Sequence, residues 1–312
     1  MSEKSLNYFY KALQEANYLW ILLALFLSFF AYSIRAYRWK YSLEPLGYKT
    51  SFWNRYHAMM IGYLINLTIP RAGEATRAAM LYRSDGVPFS KSFGTIIAER
   101  VIDLFMLASI SFLALFFTYD DFIEIFNQIK ASFNKQTSSE EGQILKFIIY
   151  GFLIISGLFV GYLIIFNKKI KQKLFEFIKG IFDGVFSLFK TKNPSSYILC
   201  TLLIWLLYIV YFAVAFLSLK ETQNFPFEGI MLAFIAGSLG ISFTNGGIGA
   251  FPLLVALVVV FYLGKDNPNA LAIGNALGML IWVSQTLLLI ILGLISLIIL
   301  PKNYSQTDSN NV

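Results

Sequence analysis

Long apolar runs separated by short polar links set the pattern of this chain. Residues 18–39, 93–119, 145–166, 197–219 and 270–300 each hold enough apolar sequence to span a bilayer, which takes about 20 residues of helix. Two other apolar segments stop early. Residues 56–70 end at Pro70 after about 23 Å of helix, short of a hydrocarbon core about 30 Å thick. An amphipathic piece, 72–83, then returns. In the second half, 229–245 is interrupted by Gly246-Gly247-Ile248-Gly249 and Pro252, and 253–263 is again too short to span alone. Residues 1–17 read as an interfacial helix with Leu6, Tyr10, Leu13 and Asn17 on one face. In 167–193, seven lysines stand against Glu176 and Asp183, while Ile170, Leu174, Ile178, Ile181, Val185 and Leu188 recur at helical spacing. That predicts an amphipathic helix lying on the membrane surface. The tail, 301–312, is polar and expected to be disordered.

The two halves echo each other. A span opens at Tyr18 and again at Tyr197, the break at Pro70–Gly73 recurs at Gly246–Gly249, and a span opens at Phe93 and again at Ala270. One nearly constant offset relates all three. Arg35, Arg38, Lys40, Lys49 and Arg55 after the first span, and the lysine-rich helix, place those segments in the cytoplasm. The acidic loop 120–143 then lies outside. These assignments agree if each interrupted segment is a hairpin that enters and leaves on one face. The expected fold is an all-α polytopic membrane protein with an inverted repeat: five full spans, two re-entrant hairpins and one interfacial amphipathic helix. It forms one integral domain over 1–300, with repeat one at 18–119, a linking region at 145–193 and repeat two at 197–300. The N-terminus is expected outside and the C-terminus in the cytoplasm of the cell (inner) membrane. Paired, broken segments in inverted halves point to a substrate site near the midplane.

Composition agrees: 57% of the 312 residues are hydrophobic and 14% charged, with a mean hydropathy of +0.63. The net charge of +7 therefore speaks of topology and anionic lipid, and no nucleic-acid partner is expected. No cleavable signal peptide is expected. Cys200 is the sole cysteine, so no internal disulfide can form, and it reads as a small buried hydrophobe.

Ionisable groups at membrane depth are costly, by about 3 kcal/mol on insertion scales, which makes them functional suspects. Arg71, Glu74 and Arg77 are spaced to share a helical face, and Glu99, Arg100 and Asp103 form a second compact patch. Three arginines balance three carboxylates. Arg71, Arg77 and the backbone N–H groups beginning near Ala72 are the donors a phosphate or carboxylate needs. Two readings stay open: the six residues only staple the hairpin to the next span, or they hold an anionic ligand. Ser242, Thr244, Asn245 and glycine backbone are all that the second break offers. Trp282 and Gln285 are candidates to line the same cavity. His57 reads as an interfacial polar residue and Asp120-Asp121 as a solvated loop. No nucleophile motif, P-loop or zinc spacing appears, so neither an enzyme nor a cofactor or metal site is expected.

Four stretches carry a family resemblance: Arg38-Trp39-Lys40, Asn66-x3-Pro70-Arg71-x-Gly73-Glu74-x2-Arg77, Glu99-Arg100-x2-Asp103, and Gly246-Gly247-Ile248-Gly249. Over roughly 19–298 the chain resembles the flippase-like family defined by the transmembrane region of lysylphosphatidylglycerol synthase. The resemblance implies translocation of lipids or lipid-linked head groups between leaflets. The lysyl-transferring domain of the fused enzymes is absent from this sequence, so synthase activity does not carry over. Two departures stand out: Thr244-Asn245 where many members have a proline before the glycines, and Pro252 where an acidic residue often follows. The expected site comprises Asn66, Arg71, Glu74, Arg77, Glu99, Arg100, Asp103, Thr244, Asn245, Gly246 and Gly247. Its expected partners are membrane lipids with an anionic head group, and the sequence leaves open a homo-oligomer or a partner lipid-modifying enzyme. The alternative function is a membrane scaffold or accessory subunit that presents lipid to a separate enzyme.

Overall fold

A computed structural model describes residues 3–125, 127, 193–244, 246–264 and 267–300. The expected span 145–166, the lysine-rich helix, most of the acidic loop, Asn245 and the tail lie outside the described residues. In chain order the helices are α1 (Glu3–Glu15), α2 (Tyr18–Leu43), α3 (Phe52–Thr68), α4 (Ala72–Asp85), α5 (Phe89–Phe117), α6 (Pro194–Phe216), α7 (Phe227–Phe243), α8 (Ala250–Leu263) and α9 (Ala270–Ile299). No strand occurs among the described residues. Among the described residues, four helical stretches are long and apolar enough to cross a membrane: Tyr18–Leu46, Phe89–Phe117, Pro194–Phe216 and Ala270–Ile299. α3 has 17 residues, about 25 Å, and α8 has 14, about 21 Å.

Local chemistry explains the boundaries. The Asn17 side chain accepts from the Leu19 N–H (3.1 Å) and caps α2. Pro194 stands in the first turn of α6, where its missing N–H is harmless. α3 stops before Pro70, whose ring blocks helix continuation. Pro252 was expected to extend the second break, yet it sits inside the first turn of α8. A first-turn position needs no N–H donor, so the helix starts earlier than expected.

α3 packs on α4 and α7 on α8, and both short pairs lean on α9. α2 runs along α6, and α4 packs on α5. Glycine allows the α3–α4 contact: a β-carbon on Gly62 would stand 2.7 Å from the Gly73 carbonyl oxygen. The Ser51 N–H donates to the Asp85 carboxylate (3.2 Å), so the two ends of the α3–α4 pair lie together. The rings of Phe225, ahead of α7, and Tyr262, in the last turn of α8, pack 5.3 Å apart and do the same for the second pair. The largest core, which includes Phe212, Phe216, Phe234, Phe251, Val255 and Leu277, lies where α6, α7, α8 and α9 meet.

α1 packs against α9. Ala12 and Ala16 are buried and Tyr8, Phe9 and Leu13 pack beside them, whereas Leu6 and Tyr10 are exposed. The Tyr8 hydroxyl donates to Glu221 (2.7 Å), and this bond pushes its pKa up to about 12. Asp121 also departs from the expected solvated loop, because its carboxylate accepts from the Tyr262 hydroxyl. His57 is buried, at 7% exposure, with Nδ1 2.9 Å from Ser296 Oγ. Cys200 is buried, as its position predicts.

Candidate functional site

A cavity of about 800 Å3 opens between the two interrupted helix pairs. Tyr32 comes from α2, Tyr63 and Asn66 from α3, Glu74 from α4, Arg100 from α5 and Tyr211 from α6. α7 contributes Ile241 and Ser242, α8 Phe251, and α9 Trp282, Gln285 and Thr286. The breaks themselves supply Pro70, Arg71, Thr244 and Gly246. They face each other closely: a β-carbon on Gly246 would stand 3.7 Å from Leu67 Cδ2.

The first break turns through Arg71, whose φ of +63° is the one positive value at a non-glycine residue among those described. Side chains rarely adopt that region, at a cost of about 1 kcal/mol or more. The conformation reverses the chain directly after Pro70 and leaves the Arg71 guanidinium with no ion pair among the described residues. Two N–H groups at the start of α4 are already engaged. Gly73 N–H donates to Asn66 Oδ1 (2.7 Å), and Ala72 N–H to the Ile69 carbonyl (3.2 Å). Asn66 therefore caps the returning helix from across the turn. At the second break, Gly246, Gly247 and Gly249 have φ of +63°, +80° and +72°, which glycine adopts without penalty. Trp282 Nε1–H donates to the Gly246 carbonyl (2.7 Å).

Behind the cavity wall lies a buried charge network. Arg77 is 3% exposed and Glu99 1%, and their charged groups approach to 3.0 Å. The Arg77 guanidinium also lies over the Trp39 ring, 3.6 Å from its centroid. Trp39 in turn donates to Thr95 Oγ1 (2.9 Å). Arg100 pairs with Glu74 at 2.9 Å on the cavity side. Asp103 receives Arg35 and Arg38, the latter at 3.0 Å. Those two arginines also reach α6, where Arg35 donates to Tyr208 (3.1 Å) and Arg38 to Thr201 (3.0 Å). Arg77 Nε and Nη2 and Glu99 Oε1 are buried without hydrogen-bond partners among the described residues. The described residues hold no group of three or more His, Cys, Asp or Glu side chains suited to a metal ion.

Residues 2–293 match the family described as the lysylphosphatidylglycerol synthase TM region. The chain belongs to this family. It is similar to the UPF0104 membrane protein PH1989 of Pyrococcus horikoshii, at 28% identity over 257 residues, 77% of this chain and 76% of that one. It is also similar to the UPF0104 membrane protein MJ1595 of Methanocaldococcus jannaschii, at 33% identity over 96 residues. That match covers 30% of this chain and 29% of the relative. No solved structure matches significantly. With its membrane-spanning helices, this member of the lysylphosphatidylglycerol synthase TM region family is a multi-pass membrane protein.

The structure divides the residues singled out in this family member. Asn66, Arg71, Glu74, Arg100, Thr244 and Gly246 line the cavity together with Trp282 and Gln285. Arg77, Glu99, Asp103 and Gly247 do not line it, and Asn245 lies outside the described residues. Two side chains lie away from the expected arrangement. Arg77 is covered by Trp39 and held by Glu99, behind the cavity lining. Asp103 pairs with α2 rather than with the first break. Sequence reasoning missed Arg35 and Arg38 as network members. They look like a basic belt at the end of an apolar run, yet they are 4% and 0% exposed. The spacing of Arg35, Arg38 and Trp39 on one helical face was the available signal. Tyr32, Tyr63 and Tyr211 were also missed, because a tyrosine in an apolar run carries no mark of cavity exposure.

Proposed function

We propose that this protein moves an anionic lipid, or a lipid-linked anionic head group, between the leaflets of the cell membrane. Arg71 carries the reading: it is a guanidinium at the apex of a broken helix pair, facing a large cavity, with no carboxylate partner among the described residues. An unpaired arginine at membrane depth calls for an anion, and its planar fork suits phosphate. In this reading the two helix pairs are re-entrant and inverted. The α3–α4 pair enters from the cytoplasm and the α7–α8 pair from outside, with the N-terminus outside and the C-terminus inside. Support comes from the lengths of α3 and α8, from the joined ends of each pair, and from breaks that face one another across the cavity. Non-helical backbone at that depth is tolerated where it borders a cavity. Head groups would cross through the space between the breaks while acyl chains stay in lipid. Arg100, Glu74 and the wall behind them hold the first break in position.

Reconstitution of the full chain in liposomes tests this. Labelled anionic lipid should exchange between leaflets faster than in empty liposomes. Arg71→Ala should remove most of that exchange while thermal stability stays within about 0.5 kcal/mol, as expected for a side chain without protein partners. Exchange no faster than in empty liposomes for any anionic lipid would count against transport.

A further inference from the structure

We infer that the glycine segment 246–249 is the part that yields when a head group passes between the two breaks, and that Trp282 is the positioning residue that latches it shut. This rests on the lipid-transport reading and adds the moving part to it. Where the breaks meet, they close on one another: a β-carbon on Gly246 would already touch Leu67 Cδ2 at 3.7 Å. With Leu67 filling the space between the two backbones, one break must withdraw before a head group crosses.

The first break is fastened in several ways at once. Asn66 Oδ1 accepts from the Gly73 N–H (2.7 Å). The backbones of α3 and α4 touch, since a β-carbon on Gly62 would stand 2.7 Å from the Gly73 carbonyl oxygen. Two ion pairs then tie α4 to α5, Arg100 with Glu74 at 2.9 Å and Arg77 with Glu99 at 3.0 Å. Withdrawing this break would strain or break the cap, the close backbone contact and both ion pairs together.

At the second break the helices are held as firmly, but the turn between them is not. Gly274 and Gly278 of α9 lie against Ala256 and Pro252 of α8, each so close that a β-carbon would stand 2.7 Å from the facing Cα. Gly240 of α7 lies against Phe251, where a β-carbon would stand 3.1 Å from the backbone nitrogen. Between these helices, 246–249 carries one side chain, that of Ile248, which is 61% exposed. The Gly247 and Ile248 carbonyls accept from the N–H groups of Phe251 (2.9 Å) and Ala250 (2.8 Å), bonds that a swing of Gly246 leaves intact. The Gly246 carbonyl is held from outside the turn, by Trp282 Nε1–H at 2.7 Å. Among the described residues this is the one side-chain hydrogen bond to the segment. Gly246 borders the cavity, so water can replace the indole as donor when the latch opens, and glycine swings without a side-chain clash. One such bond shifts a closed–open balance by about two- to tenfold, enough to favour closure and weak enough to release.

The test uses the full chain, in liposomes with labelled phosphatidylglycerol as the anionic probe and in detergent for amide hydrogen exchange. Trp282→Phe keeps a ring and removes the donor. It should raise the maximal rate of leaflet exchange by about two- to tenfold while the labelled-lipid fraction at half-maximal rate stays unchanged, because Arg71 is untouched. Amide exchange at 246–249 should speed up by a similar factor and that at 66–73 should not. A second variant leaves Trp282 in place: Leu67→Cys/Gly246→Cys in a Cys200→Ser background, which removes the sole native cysteine. Bridging the pair with a short bifunctional methanethiosulfonate should stop lipid exchange, reductant should restore it, and a monofunctional reagent of the same size on either single cysteine should not stop it. A bridged pair that still exchanges lipid would overturn the inference. So would Trp282→Phe that moves lipid at the wild-type rate or slower although its 246–249 amides exchange faster, and transport would then still stand. Lipid exchange absent from every protein, with faster amide exchange confined to 246–249, would support the latch and overturn the transport reading.

Discussion

Arg77 separates a gripping arginine from a structural one. Its guanidinium lies between the Glu99 carboxylate, 3.0 Å away, and the Trp39 ring, 3.6 Å from the centroid. Replacing it with methionine keeps much of the volume and leaves Glu99 buried at 1% exposure without its ion-pair partner. Removing one partner of a buried pair destabilises by about 3–5 kcal/mol. The lost cation–ring contact contributes up to about 2 kcal/mol of that. Replacing both partners, as Arg77→Met/Glu99→Leu, removes the stranded charge together with its partner. Such swaps are often neutral or stabilising relative to the pair. Thermal unfolding in detergent should therefore show a large loss for Arg77→Met and recovery of most of it in the double variant. The double variant should also retain lipid exchange, because Arg77 does not line the cavity. The reasoning fails if Arg77→Met unfolds at the wild-type temperature, or if the double variant is as unstable as the single. It fails differently if the double variant folds normally and no longer exchanges lipid, which would return Arg77 to the head group.

Other perturbations follow from the same geometry. Asp103→Asn leaves Arg35 and Arg38 buried without their shared carboxylate, and unfolding should show a loss of about 3 kcal/mol or more. Gly73→Ala drives a methyl into the Gly62 carbonyl and the Asn66 side chain. It should cost about 1–3 kcal/mol in the same assay, and Asn66→Ala should cost about 1 kcal/mol through the lost cap. Trp282→Phe removes the donor to the Gly246 carbonyl. Hydrogen exchange at residues 246–249 should speed up by a factor consistent with about 1 kcal/mol.

Much of the architecture is written locally. Pro70 and Gly73 mark the first break because proline ends a helix and glycine permits the close return, and the glycine cluster at 246–249 marks the second for similar reasons. The pairing of charges was not legible to the same degree. Arg71 and Arg77 are the same residue type on one short helix and look equivalent in sequence. Only the packing of α2 beside α4 brings Trp39 over one of them and leaves the other facing the cavity. Arg35 and Arg38 follow the same logic. A basic cluster at the end of an apolar run usually faces lipid head groups, and it is the placement of α5 and α6 that buries this one.

These corrections change the charge balance on which the functional reading depends. In sequence, three arginines seemed to meet three carboxylates and could have satisfied one another. In the structure, Asp103 serves two arginines from α2, Glu99 serves Arg77, and Glu74 serves Arg100. Arg71 has none of them. Including it, the network is richer in arginine than in carboxylate, and an arginine left without a carboxylate in a membrane-spanning protein is costly unless water or an anion meets it. A set of residues that only stapled helices together would have no use for that excess, since a neutral side chain at 71 would turn the chain at lower cost. The φ of +63° sharpens the point, because glycine or asparagine suits that backbone better than arginine does. An arginine kept where both its charge and its conformation are unfavourable, and facing a cavity, is best explained by an anion that engages it there.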